Sequence, residues 1–282
     1  MNNYVIYKDS IIFCPEFNKS LNDYEEDIKN YKKLIFSNYY DLESCIKTNN
    51  EYKIKYNEKY TCSEFNQPLN NSLSNLINLT HLNLSELFNQ PLNNSLSNLI
   101  NLTHLTFSHY FNQQLKNSLS NLTYLTHLTF GGNFNQPLNN SLSNLTNLTN
   151  LTFGYKFNQS LENSLLHLIN LTYLGLGYEF NQLLELPSNI KILLIDCNNL
   201  FLVENLPNSI EELYLGLSFN LELNNLPNSI KIIKFDVDSK YNKELNNLPK
   251  FLKLLELPKN YSIHINNINP ICNITHSSNL IE

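Results

Sequence analysis

Three histidines recur at equal intervals along the chain, and imidazole side chains repeated in this way can bind a metal ion or sense pH. His81, His104 and His127 each stand in the same context, Leu-Thr-His-Leu. If these segments are parallel strands, the three rings lie about 4.8 Å apart on one face of a sheet, and imidazole suits zinc or copper. The alternative interpretation, which we favour, is that they are neutral polar residues at an exposed position, and we predict no cofactor.

The chain lacks the sequence signatures of the common catalytic sites. Its six glycines stand at or beside predicted strand positions rather than in a phosphate-binding loop. No Gly-x-Ser-x-Gly segment occurs, and no cysteine neighbours a repeated histidine. The five cysteines lack Cys-x-x-Cys spacing, which favours free thiols in a reducing compartment: Cys14, Cys45, Cys62, Cys197 and Cys272. The sequence therefore predicts a protein that is not an enzyme.

Charge and hydropathy narrow the classes of partner. The formal net charge is -6, and all 19 basic residues are lysines. Because bidentate recognition of phosphate and guanine depends on arginine, we predict no binding to nucleic acid. The first residues do not resemble a signal peptide, and no stretch approaches the roughly 18 apolar residues of a membrane helix. We therefore expect a monomeric cytoplasmic protein that does not bind membranes.

The histidines belong to a tandem repeat that fills the middle of the chain. An L-x-x-L-x-L segment follows Phe-Asn blocks that recur with one constant period, starting at Phe65, Phe88, Phe111, Phe134, Phe157 and Phe180. This segment is the strand of a leucine-rich repeat. Since side chains alternate along a strand, its fourth and sixth positions point into the core and its third, fifth and seventh positions point out of the sheet.

The repeats predict an α/β repeat solenoid: a leucine-rich-repeat arc with a parallel sheet on the concave face and loops or short helical turns on the convex face. Downstream, Leu-Pro segments at Leu186, Leu206 and Leu226 follow one another with a shorter period. Ile54 and Tyr56 suggest a decayed copy upstream. The predicted division is an N-terminal cap (1–16), decayed repeats (17–60), regular repeats (61–185), shortened LPNSI-type repeats (186–260) and a C-terminal cap or tail (261–282).

The invariant positions of the repeat have a structural explanation. The asparagine after each phenylalanine is predicted to satisfy backbone groups of the adjacent repeat, because a buried irregular loop needs such partners. The phenylalanines are predicted to stack into a hydrophobic column.

Two blocks resemble a known family. LTHLTFGGNFNQPL at 125–138 and LPNSIEELYLG at 206–216 resemble the FNIP repeat, a leucine-rich-repeat variant found chiefly in social amoebae and large amoeba-infecting viruses. The resemblance covers roughly residues 61 to 257. Some members carry an F-box before the repeats, which implies a substrate receptor of a ubiquitin ligase. A diverged F-box would have to lie within residues 21–60, where Tyr31, Leu34 and Phe36 fit the repeat instead.

Candidate partner-binding residues stand at positions that vary between repeats. Tyr155, Tyr173 and Tyr178 are predicted to form an aromatic anchor, with Gly175 and Gly177 leaving space around them, because tyrosine is enriched at interface hot spots. Mutual packing of these rings is the alternative. A gradient of polar side chains along the sheet completes the predicted surface, from His81, His104 and His127 to Asp196, Glu212, Tyr214 and Asp236.

These observations predict a non-enzymatic scaffold that binds a host or viral protein on its concave sheet. Two alternatives remain: a ubiquitin-ligase adaptor with a diverged F-box, and a metal- or pH-responsive module that uses the histidines.

Overall fold

The architecture comes from a computed structural model that describes residues 3–36, 63–263, 265 and 269–276. The chain divides into two compact units, Met1–Leu148 and Thr149–Glu282. The decayed repeat predicted around Ile54 and Tyr56 lies outside the described residues, as do Cys45 and Cys62. Cys197 and Cys272 are free thiols, as predicted.

The first unit begins with an antiparallel hairpin and continues as a parallel sheet. Lys8, at a φ of 53°, turns the chain between the first two strands. A 3-10 helix (Leu21–Tyr24) and a short helix α1 (Glu25–Ile28) lead to the third strand. The strands, in sheet order, are β1 (Tyr4–Tyr7), β2 (Ser10–Phe13), β3 (Lys33–Phe36), β4 (His81–Asn83), β5 (His104–Thr106) and β6 (His127–Thr129).

The second unit is also a parallel sheet, with one short helix, α2 (Leu200–Glu204), in the described part. Its strands are β7 (Asn150–Thr152), β8 (Tyr173–Leu176), β9 (Ile192–Ile195), β10 (Glu212–Leu215), β11 (Ile232–Phe235), β12 (Leu254–Leu257) and β13 (Asn273–His276). The sequence predicts that the strand at β9 begins at Ile190. It begins later, at Ile192, because the N–H of Ile190 closes a turn onto the carbonyl of Pro187.

Repeating apolar positions make the core of both units. The leucines at the fourth position of the strands are buried, as are the phenylalanines of the Phe-Asn blocks. Successive phenylalanine rings stack with centroids about 6 Å apart, as between Phe65 and Phe88 (6.0 Å) in the first unit and Phe157 and Phe180 (6.2 Å) in the second. Phe17 stacks on Phe65 at 5.8 Å although the two are far apart in the sequence. The predicted hydrophobic column is confirmed.

An amide ladder runs beside the phenylalanine column. In the first unit the N–H of Asn135 donates to Oδ1 of Asn112, and the N–H of Asn112 donates to Oδ1 of Asn89, both at 2.9 Å. The glutamine of each FNQ segment joins in: Nε2 of Gln136 donates to the same Asn112 oxygen at 3.1 Å. The predicted role of the asparagine, to satisfy backbone groups of the adjacent repeat, is therefore confirmed. The hydrogen bond from the glutamine was not predicted, although glutamine recurs in the FNQ motif.

The loops on the other side of the sheet consist of tight turns. Four residues at one repeat position adopt positive φ, and asparagine, which tolerates this region, occupies three of them: Asn70, Asn93, Lys116 and Asn139. These turns form the loop side of the repeat, where the spaced leucines predicted loops or short helical turns rather than long helices.

Candidate functional site

Three imidazoles stack on the open face of the first unit, the sheet face that carries the third and fifth strand positions. His81, His104 and His127 are paired in register on β4, β5 and β6. Neighbouring ring centroids are 4.2 Å apart and the planes are within 9° of parallel. The sequence predicted this column, and the closer spacing shows that the rings are in direct contact.

Threonine hydroxyls contact these rings. Oγ1 of Thr103 lies 3.0 Å from the carbonyl oxygen of Thr80 and 2.9 Å from Nδ1 of His104. The same carbonyl also accepts from the N–H groups of Thr103 and His104. A hydroxyl has one proton, which is donated either to the carbonyl or to Nδ1, and in both cases the hydroxyl holds the ring against the neighbouring strand. The same pair of contacts recurs at Thr126 and His127.

The environment of the column favours the neutral imidazole. Desolvation, together with the charges of the neighbouring rings and of Lys33, lowers the pKa of His104 to about 4. Desolvation also lowers the pKa of His81 and of His127. Asp9 acts in the opposite sense on His81, but the net effect at all three rings is a weaker base.

The stacked geometry does not suit a metal ion. Parallel rings direct their Nε2 lone pairs side by side rather than toward one point, whereas a metal needs converging ligands. Across the parts of the chain that are described, no group of three or more histidine, cysteine, aspartate or glutamate side chains is arranged to hold a metal.

Two of the three predicted anchor tyrosines lie together. Tyr155 and Tyr178 follow β7 and β8, and their rings stack with centroids 4.9 Å apart. Both are well exposed, at 48% and 41%. Thus they pack on each other and remain accessible, which combines the two interpretations of the sequence.

Tyr173 is not at the same register position as that pair. It lies within strand β8, where its register partners are Asn150 of β7 and Ile192 of β9. The glycines also have another role than the one predicted. A Cβ at Gly177 would lie 2.1 Å from the carbonyl oxygen of Gly154, and a Cβ at Gly175 would lie 3.0 Å from Thr152. They allow adjacent repeats to approach, rather than leaving room for tyrosine rings.

The charged candidates cluster on the open face of the second unit. The hydroxyl of Tyr214 donates to Oε2 of Glu212 at 2.8 Å, and burial together with this carboxylate raises the pKa of Tyr214 to about 12. On the neighbouring strands Lys234 and Glu256 form an ion pair at 3.3 Å. This pair was not predicted from the sequence, although both residues occupy the fifth strand position.

Asp196 and Asp236 stand at the carboxyl ends of β9 and β11, on either side of Gly216. A Cβ at Gly216 would lie 2.5 Å from Oδ1 of Asp196, so glycine is needed to admit this carboxylate. Desolvation and the charge of Asp236 raise the pKa of Asp196, while the N–H of Ser218 donates to it at 2.7 Å.

A small cavity joins several of these groups. Its volume is about 270 Å³, and its lining includes Tyr214, Gly216, Lys234, Asp236 and Glu256. The open face of the second unit therefore offers a depression whose lining carries charges of both signs.

The shortened repeats of the second unit match a family model. Residues 180–218 and 197–238 match the FNIP Repeat. They lie within the wider region in which the sequence resembles the family, and their strands β9, β10 and β11 carry Asp196, Glu212, Tyr214 and Asp236.

Solved structures similar to this chain are leucine-rich-repeat proteins. One is CroV588, a circular leucine-rich-repeat protein of a giant virus, with a TM-score of 0.64 and 29% identity over 98% of this chain. This chain spans 41% of the length of CroV588. Another is the internalin InlF of Listeria monocytogenes, with a TM-score of 0.55 and 17% identity over 96% of this chain and 87% of that one. The fold is therefore that of leucine-rich-repeat proteins.

Two further findings are negative. No curated protein matches the chain. Among the described residues, no helix has the length and apolar character required to cross a membrane.

Proposed function

We propose that the chain is a non-enzymatic scaffold that binds another protein, of a host or a virus, on the open face of its sheet. The observation that carries this proposal is the variety of side chains on that face in the second unit. Tyr173, Ile192, Glu212 and Ile232 occupy one register position on four successive strands and are all half-buried. The core positions beside them are uniformly leucine or isoleucine, so the variation is not required by the fold.

The exposed Tyr155–Tyr178 pair supports the same proposal. Aromatic rings supply most of the energy at many protein interfaces, because they bury a large area with little loss of conformational entropy. Acidic groups at Asp196, Glu212 and Asp236 add charge in the same unit, which favours a partner with complementary basic groups.

No specific observation favours either alternative function, the ubiquitin-ligase adaptor or the metal- or pH-responsive module. The described part of the predicted F-box region, 21–36, forms the 3-10 helix, α1 and β3, and Phe36 stacks on Phe65 with ring centroids 4.2 Å apart. That part therefore contributes a strand to the same sheet as the repeats, while residues 37–60 lie outside the described chain. For metal binding, the stacked imidazoles have the wrong geometry.

The test is affinity capture followed by mass spectrometry, with Tyr155, Tyr173 and Tyr178 replaced by serine. Loss of hot-spot rings costs about 2 kcal/mol or more each, so partners retained by the wild type should disappear. The control replaces Tyr110 and Tyr124 by serine, because these tyrosines are also well exposed but lie in the first unit. If the folded triple variant captures the same partners as the control, binding does not use this face.

A further inference from the structure

An apolar groove lies among the loops of the second unit, away from the open face of the sheet. Its volume is about 450 Å³. It is formed by the loop between β7 and β8, the loop between β8 and β9, and helix α2. The apolar part of its lining consists mainly of Leu165, Leu166, Leu183, Leu184 and Phe201.

Two of these leucines break the pattern of the repeat. Leu166 is 66% exposed and Leu183 is 72% exposed. The other repeats have small or polar residues, or proline, at the same two positions. The residues equivalent to Leu166 are Ser74, Ser97, Ser120 and Ser143, and those equivalent to Leu183 are Pro68, Pro91, Gln114, Pro137 and Ser160. Since the fold accepts these residues elsewhere, it does not require leucine at either place.

The groove arises where the repeat becomes shorter. The segment from Phe180 to β9 lacks the Asn-Ser-Leu-Ser-Asn-Leu turn of the regular repeats, which leaves space beside the preceding loop. Helix α2 stands at this space and is held in place by Asn199, whose Oδ1 accepts from the N–H of Leu202 at 3.1 Å. Nδ2 of Asn199 donates to the carbonyl of Gln182 at 2.8 Å, which ties the helix to the loop that carries Leu183.

The charges of the groove restrict what can occupy it. Two of its lining residues are ionisable, and both are glutamates, Glu162 and Glu185. Exposed leucines beside carboxylates match a segment that carries apolar side chains on one face and cations next to them, as in helices that bind in grooves.

We propose that this groove binds a short amphipathic segment of a partner protein, with apolar side chains that pack on Leu166 and Leu183 and lysine or arginine side chains beside Glu162 and Glu185. The site is separate from the open face of the sheet. The chain thus has a second docking surface at the junction between its long and short repeats.

Peptide binding tests this proposal directly. The probe is a short peptide of leucine and lysine in an amphipathic helical pattern with one tryptophan, because the chain itself has no tryptophan. Leu166→Ser combined with Leu183→Gln gives the groove the residues of other repeats, so the variant should fold normally by circular dichroism. At about 0.15 M salt, its affinity for the peptide should fall at least about tenfold. Glu162→Gln combined with Glu185→Gln should also weaken binding.

Three controls separate groove binding from general attraction to an acidic protein. Ile100→Thr removes an exposed isoleucine in the first unit, where two other repeats have threonine, and should bind as the wild type does. The Tyr155, Tyr173 and Tyr178 serine variant should also bind the peptide normally, which distinguishes this site from the sheet face. A peptide with glutamate in place of lysine should bind at least about tenfold less well. Equal binding of the lysine peptide by the leucine double variant, or of both peptides by the wild type, would overturn the proposal.

Discussion

Single residues of the histidine column combine a structural and a chemical role. Each imidazole is half-buried, and its Nδ1 lies 2.9 Å from a threonine hydroxyl. Protonation of His104 would place a charge between two rings at 4.2 Å on either side, in surroundings that already contain Lys33. The column is therefore a row of neutral rings that acid would convert into adjacent cations.

The pKa of His104 gives a prediction about stability. Its pKa in the folded protein is about 4, against 6.5 for an unperturbed histidine. Between these values the unfolded chain binds more protons, so this residue makes the folded state less stable as pH falls from about 6.5 to about 4. His104→Asn, which introduces the residue found at Asn150, should flatten the pH dependence of the free energy of unfolding in urea over this range.

His167→Asn is the matched control for that experiment, because it removes an exposed imidazole from the loop side. Nitrogen NMR of the wild type should show His104 titrating near the low pKa. A normal histidine pKa would refute the destabilisation of the charged ring by desolvation and by its neighbours.

At the scale of elements, the amide ladder links successive turns. Oδ1 of each ladder asparagine accepts from both the backbone and the glutamine of the next repeat, as Asn112 does from Asn135 and Gln136. Asn112→Ala would leave both donors without this acceptor, which should cost about 1–3 kcal/mol of unfolding free energy. Asn112→Asp keeps the oxygen and should cost less. Urea unfolding followed by circular dichroism measures both, and equal losses would argue against the role of the oxygen.

The sequence predicts these elements well because each of them repeats. The repeat period alone predicts that Phe88 and Leu105 lie in the core and that Asn112 belongs to the amide ladder. Binding surfaces are harder to predict because they depend on departures from the repeat. Leu166 carries such a signal, since it replaces a serine, but only the structure brings it next to Leu183 and α2. Likewise the Lys234–Glu256 pair depends on the register between strands.

At the scale of the whole molecule, each unit consists of layers that contact only their neighbours. In such proteins the stability is close to a sum of repeat and interface energies, so a defect spreads only as far as neighbouring layers transmit it. The long repeats of the first unit and the short repeats of the second differ in loop structure. We therefore expect the two units to differ in their local stability.

A core substitution in each unit tests this expectation. Ile233, on β11, is fully buried, and Ile233→Ala should cost about 2–5 kcal/mol through lost contacts and a cavity. Hydrogen exchange with mass spectrometry should then show faster exchange in β10, β11 and β12, with protection unchanged in β4 and β5. Leu105→Ala in the first unit is the matched control and should produce the reverse pattern. Equal loss of protection in both units would instead mean that the layers unfold as one cooperative structure, because a local defect would then have to open the whole chain.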